Sequence, residues 1–325
     1  MKLITVLGAS GFIGSAVTHA LAQQPIRLRA VARRRFTPAP GQAETTVVVA
    51  DLTDRAALAD AVAGSDAVVY LLLAGSGWRA VETEEAERVN VGVMRDLVDV
   101  LGSDNEPPPL VVYGGATSQA GVPPREPLDG SESDRPATPY DRQKLAAEKI
   151  LMKATANGRV RGISLRMPTV FGETKAQGAN HDRGVVSAMA RRALDGQALT
   201  IWGDGTLRRD LVHVEDVAAA FTAALAGPDS LVGCHWLVGT GRGDQLGEVF
   251  RLVAREVAEH TGRSPVDVTR VAAPSHAPEM DFRSVTIDST PFRAITGWRP
   301  EISLSEGVRR TVAALTTSVH GEARR

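Results

Sequence analysis

Short apolar runs rich in β-branched residues recur through the first half of the chain, at Leu3 to Leu7, Leu28 to Val31, Thr46 to Val49, Ala67 to Leu72 and Leu110 to Tyr113. Between them, SAVTHALAQQ, RAALADAVAG and VNVGVMRDLVDVLG repeat their apolar positions at the helical period. Strand alternating with helix is the pattern of a parallel sheet covered by helices on both faces, so the chain reads as doubly wound α/β. SDNEPPPL, before the fifth run, is a loop: its three prolines stop a helix and remove ladder donors. After Gly172 the rhythm changes to longer irregular stretches such as GETKAQGANHDRG and RVAAPSHAPEMDFRS, mixed with helices. The expected division is a first unit over residues 1–172, to which 209–240 returns. A smaller mixed α/β lobe takes 173–208 and 241–318, and 319–325 is a frayed tail. Such a lobe would stand near the carboxyl ends of the strands, where open α/β sheets bind ligands.

At 325 residues the chain buries a sizeable core. A formal net charge of -1 with mixed signs argues against nucleic acid or a bilayer as partner and favours a small neutral or anionic ligand. With Cys234 the only thiol, no intrachain disulfide and no cysteine metal cluster is possible, and no metal is expected. MKLITVLGASG is too short an apolar run for a signal peptide, and no stretch approaches a membrane span, so the expected location is cytoplasmic.

In LITVLGASGFIGSAV, Gly8, Gly11 and Gly14 follow the first strand and open a helix. In a dinucleotide-binding turn, Gly8 permits the bend, Gly11 lets backbone approach a pyrophosphate, and Gly14 allows close helix packing. Ser10, Phe12 and Ile13 complete that loop at the helix amino terminus, which attracts phosphate charge. The second strand ends in AVARRR, where a free ribose 2'-hydroxyl would call for an acidic residue; Arg33 and Arg34 instead suit a 2'-phosphate, and hence NADPH, a solvated basic turn being the other reading. Asp51 and Leu52, after the third strand, are placed to meet the adenine edge, with a helix cap as the other reading of Asp51.

ATPYDRQKLAAEK sets Tyr140 four residues before Lys144, in a chain of three tyrosines and five lysines. On a helix the two share a face, and an ammonium beside a phenol lowers the phenol's pKa towards the working range of an acid or base. The same lysine is placed to hold a nicotinamide ribose. Together, Gly8-x-x-Gly11-x-x-Gly14 and Tyr140-x-x-x-Lys144 resemble the extended short-chain dehydrogenase/reductase family, the NAD(P)-dependent epimerase/dehydratase group that acts largely on nucleotide sugars. Similar landmarks are YLLLAG with Leu72 and Ala74, Asn90 in RVNVGVM, LRMPTVFG with Pro168, IWGDGTLRRDLVHVEDVA and TGWRPEISLSEGV.

The resemblance implies that Leu72, Ala74, Asn90 and Pro168 border the cofactor and that Arg209 binds a nucleotide-sugar diphosphate, a salt bridge to Asp210 or Asp216 being the plainer role. It also implies a homodimer. Trp78 and Asn180 lie in loops placed to line the sugar pocket, or they simply pack; His213 is read as a packed core residue. The family's third catalytic member is a serine or threonine after the fifth strand. Counting back from Gly121 in GGATSQAG lands on Ala116, so the first choice falls on Thr117 and the second on Ser118.

The acidic pair expected of a 4,6-dehydratase is missing beside Thr117, and Arg33 and Arg34 suit an exchangeable hydride donor better than an epimerase's tightly held NAD. The loop resembles that of 4-ketoreductases acting on dTDP-4-keto-6-deoxyhexoses in deoxysugar biosynthesis. The expected activity is NADPH-dependent reduction of such a ketone. The alternatives are a nucleotide-sugar epimerase and, from another class, a non-catalytic dinucleotide sensor.

Overall fold

The computed structural model of the protein describes residues 1–74, 83–102, 107–122, 125–174, 176, 182, 184–273 and 282–322. Its centre is a seven-stranded sheet built from β1 (Leu3–Leu7), β2 (Arg27–Ala32), β3 (Glu44–Val49), β4 (Ala67–Tyr70), β5 (Leu110–Ala116), β6 (Arg161–Met167) and β11 (His235–Leu237). The order is β11-β6-β5-β4-β1-β2-β3, and every pairing is parallel. All strand carboxyl ends therefore share one edge, and the order reverses between β1 and β4, the place where such sheets form a ligand crevice.

Alternate residues feed two cores. Val6, Ala30, Val69, Val112 and Leu165 face α1 (Phe12–Ala22) and α7 (Val214–Ala226). Val31, Val68, Tyr70, Val111 and Tyr113 face α2 (Arg55–Val62), α4 (Val93–Leu101) and α5 (Pro139–Ala156). This two-sided burial is why the strands read as unbroken apolar runs. A short α3 (Glu84–Glu87) passes through a π-helical turn, Arg88–Gly92, into α4. β5 outruns β4: Tyr70 is opposite Tyr113, while Gly114, Gly115 and Ala116 continue beside β6 as far as Met167.

A third core joins α6 (Val185–Leu194), α8 (Leu246–Thr261) and α10 (Leu304–Glu322), with Phe171, Leu199, Ile201 and Leu211 between them. Short pairs complete this part: β7 (Thr169–Phe171) with β10 (Leu211–His213), β8 (Leu199–Trp202) with β13 (Val268–Val271), and β9 (Arg208–Arg209) with β12 (Asp244–Gln245). Trp298, after α9 (Thr290–Thr296), packs on Phe292 and donates Nε1–H to Asp216 O at 2.9 Å. α10 runs on to Glu322, three residues past the start of the tail expected to fray at 319. No helix among the described residues is long and apolar enough to cross a membrane.

Candidate active site

At the end of β1, Gly8 turns the chain with φ +86, where a side chain would be strained and its β-carbon would stand 2.8 Å from Leu71 O. A β-carbon on Gly14 would lie 2.0 Å from Gly8 O, so α1 is seated directly on the turn. No side chain caps α1 at Gly11, and its first turn carries no acidic residue. Gly11 N donates to Gly8 O at 2.9 Å, but among the described residues no side chain caps this end of α1, so its amides and partial positive charge are a fit for a pyrophosphate. Ser10, Phe12 and Ile13 are half-buried around it.

Arg33 and Arg34 are exposed immediately past β2. Asp51, past β3, is also exposed; its Oδ1 accepts from Thr53 N at 3.0 Å and Thr53 Oγ1 at 2.8 Å. Those bonds, with Arg33 and Arg88 nearby, hold its pKa below the ordinary carboxylate value. The helix-cap reading of Asp51 is corrected: the cap of α2 is Asp54, which accepts from Ala56 N and Ala57 N, and Asp51 caps only the turn before it. Leu52 packs into the core under α2 and α4, so its side chain is structural. Arg88, not anticipated from sequence, bonds Thr53 O at 2.6 Å and Asp96 at 2.7 Å, fixing the β3 exit from the π turn.

After β4, Leu72 is half-buried and Ala74 buried. Asn90, inside the π turn, accepts from Ala74 N at 2.8 Å and donates to Gln143 Oε1 at 2.8 Å. One side chain thereby ties the β4 exit to the helix of Tyr140 and Lys144. Ala74 and Ala86 pack with Val89 and the half-buried Tyr140 ring.

The start of α5 is specified locally. Thr138 and Asp141 form a reciprocal capping box, and Pro139 occupies the first turn. Lys144 is 9% exposed; its Nζ donates to Gly114 O at 2.7 Å, 5.0 Å from the Tyr113 ring centre and 6.0 Å from that of Tyr140. The Gly114 carbonyl lies on the part of β5 that outruns β4. Burial lowers the lysine's pKa to about 8, partly opposed by Glu148. The expected lowering of the tyrosine is not found. Burial first, and Asp141 second, raise the Tyr140 pKa above its ordinary value, because both disfavour the charged phenolate.

Glu148, one helical turn beyond Lys144, is held by Ser164 Oγ at 2.6 Å and by Arg166, whose Nη1 reaches Asp134 at 2.7 Å. Tyr140, Lys144 and Glu148 thus form one stripe of α5, anchored at its far end to β6. The i+4 spacing carries that signal in the sequence.

Thr117 and Ser118 open a 3-10 turn, Thr117–Ala120, directly after β5. Ser118 Oγ donates to Asp141 Oδ1 at 2.5 Å, whereas no described group takes the Thr117 hydroxyl. Pro168 is half-buried after β6. Arg209 donates through Nη1 to Arg208 O at 3.0 Å and to Arg283 O. Neither acid suggested as its partner serves it: Asp210 takes Thr240, Gly241 and Ile287, and Asp216 takes Glu301 N and Ile302 N. His213 is buried, Nδ1 accepting from Glu215 N at 3.3 Å and Nε2 paired with Glu173 at 3.0 Å. Trp78 and Asn180 lie outside the described residues.

Comparison with known proteins places this arrangement. Residues 4–239 match the NAD dependent epimerase/dehydratase family. A dTDP-6-deoxy-L-talose 4-dehydrogenase (NAD(P)(+)) of Kitasatospora kifunensis is 28% identical, covering 97% of this chain and 96% of its own. A dTDP-L-rhamnose 4-epimerase of Burkholderia thailandensis is 25% identical over 94% of this chain and 93% of its own. Among solved structures, MoeE5 in complex with UDP-glucuronic acid and NAD superposes with a TM-score of 0.80 at 26% identity, covering 98% of this chain and all of that one (100%).

Proposed function

The chain belongs to the NAD dependent epimerase/dehydratase family of enzymes, and we propose that within it the protein reduces the C4 ketone of a dTDP-4-keto-6-deoxyhexose with NADPH. The observation that carries the reading is the pair Arg33 and Arg34, exposed past β2 where a free ribose 2'-hydroxyl would call for an acid. The Kitasatospora relative, named for the 4-position of a dTDP-6-deoxysugar and for either nicotinamide dinucleotide, supports the same class of substrate.

NADPH supplies the hydride when bound. The amides opening α1 and the turn at Gly8 hold its pyrophosphate, and Arg33 and Arg34 its 2'-phosphate. Lys144 uses one N–H on Gly114 O and keeps two for ribose hydroxyls and for the phenol oxygen of Tyr140. Tyr140, its pKa raised, keeps its proton until an oxyanion forms at C4 and then delivers it. The Thr117 hydroxyl donates to the same oxygen, stabilising the charge as it develops. Arg209 is the cation for the sugar diphosphate, and Trp78 and Asn180 line the sugar in this reading. Leu72, Ala74, Asn90 and Pro168 border the nicotinamide end.

A second reading, a nucleotide-sugar epimerase with tightly held NAD, is favoured by the name of the Burkholderia relative. Deuterium labelling separates the two. With NADPH deuterated at C4, the reductase places label at the sugar C4 and releases NADP in equal amount. An epimerase leaves the added cofactor unconsumed and yields NAD on denaturation.

A further inference from the structure

One buried carboxylate joins the turn that follows β5 to the first turn of α5. Asp141, 2% exposed, accepts from Ser118 Oγ through Oδ1 at 2.5 Å, and from Thr138 N and Oγ1 through Oδ2 at 3.1 and 2.7 Å. Thr138 Oγ1 in turn accepts from Asp141 N at 3.2 Å. The turn is secured at its other points by Gln119 Oε1 accepting from Ala116 N at 2.8 Å, and by Arg135 N donating to Gln119 O at 3.1 Å. Asp141 adjoins Tyr140, and Ser118 adjoins Thr117. The contact therefore spans the two groups that must converge on one substrate oxygen.

We propose that Asp141 is a positioning residue that clamps the Thr117–Ala120 turn to the Tyr140 helix through Ser118, leaving Thr117 as the hydroxyl that meets the substrate. A hydroxyl on a carboxylate makes a short, strong bond, and redirecting it to substrate would strand a buried charge lacking one of its donors. Thr117 Oγ1 is bonded to no described group and is not among the buried atoms sealed from solvent without a partner. β5 ends at Ala116, which has no hydroxyl to offer. The role of Thr117 rests on the reductase reading; the clamp itself does not.

The experiment compares Ser118→Ala, Ser118→Thr, Asp141→Ala, the Ser118→Ala/Asp141→Ala double variant and Thr117→Val in the full chain. Amide hydrogen exchange at residues 117–121 is read beside kcat and KM with NADPH and dTDP-4-keto-6-deoxyglucose. Ser118→Ala and Asp141→Ala should each speed exchange of that turn and lower kcat by about tenfold, with the double variant no worse than either. KM for NADPH should stay within about twofold, and Ser118→Thr should restore kcat. Thr117→Val should lower kcat by about a hundredfold or more and leave exchange unchanged. The clamp is overturned by unaltered exchange in Ser118→Ala; the assignment of Thr117 is overturned if Ser118→Ala costs more turnover than Thr117→Val. Should Asp141→Ala fail to fold, the two Ser118 variants decide the clamp. Wild-type protein that leaves the sugar unreduced would refute the reductase reading, and the exchange comparison would still decide the clamp.

Discussion

Lys144 Nζ stands 6.0 Å from the centre of the Tyr140 ring while donating to Gly114 O at 2.7 Å, so the ammonium is fixed by the sheet rather than by the phenol. In the proposed reductase reading the tyrosine carries the proton and the lysine orients. Tyr140→Phe keeps the ring in its packing with Ala74, Ala86 and Val89 and removes only the proton. Turnover should fall by about a hundred- to ten-thousandfold, with the NADPH dissociation constant within about threefold of wild type. Steady-state kinetics beside a fluorescence titration checks both, and near-normal turnover would remove Tyr140 from the chemistry.

The buried lysine also gives stability a pH dependence. Its pKa is lowered by burial to about 8, so between that pH and the ordinary lysine value the unfolded chain binds more protons than the folded one. The free energy of unfolding therefore gains up to about 3 kcal/mol as pH rises through this window and loses it as pH falls through about 8. Urea titrations of wild type and Lys144→Met at pH 8 and 10 isolate the effect: the wild-type increment should shrink or vanish in the variant.

The proposed function assigns the choice of cofactor to the exposed cations past β2, Arg33 and Arg34. Arg33→Ser together with Arg34→Ser removes two charge-assisted bonds to a 2'-phosphate, so KM for NADPH should rise by about ten- to a hundredfold. KM for NADH should change little. Equal losses for both cofactors would show that the arginines act through the fold.

The seat of α1 on its turn leaves no room for a methyl group. A β-carbon at residue 14 would meet Gly8 O at 2.0 Å, a backbone atom that moves only with the turn. Gly14→Ala should cost about 1–3 kcal/mol in stability and weaken dinucleotide binding by about tenfold or more. Denaturant unfolding and cofactor titration measure the two separately.

β1, β4 and β5 were legible because burial on both faces leaves a continuous apolar run, and β1 begins and ends where LITVL does. The exit of β5 was not: Gly114 and Gly115 carry no strand preference, yet they extend it to Ala116 and present the carbonyl that anchors Lys144. β4 stops at Tyr70 rather than Leu72, freeing Leu71 to Ala74 to border the crevice. The glycine turn and the Tyr140 to Lys144 stripe were legible because their chemistry is local in sequence. Asn90 to Gln143 and Ser118 to Asp141 pair residues 53 and 23 positions apart, and only the fold brings them together. The direction of the Tyr140 pKa was missed for a related reason: spacing reveals the lysine, whereas burial depends on the packed surroundings.

The most direct test of the reductase account is the oxidation of NADPH against NADH by purified protein on addition of freshly generated dTDP-4-keto-6-deoxyglucose. The account predicts consumption equal to the sugar reduced, with NADPH preferred. Absence of consumption, in protein that carries tightly bound NAD and interconverts nucleotide sugars without added cofactor, would contradict it.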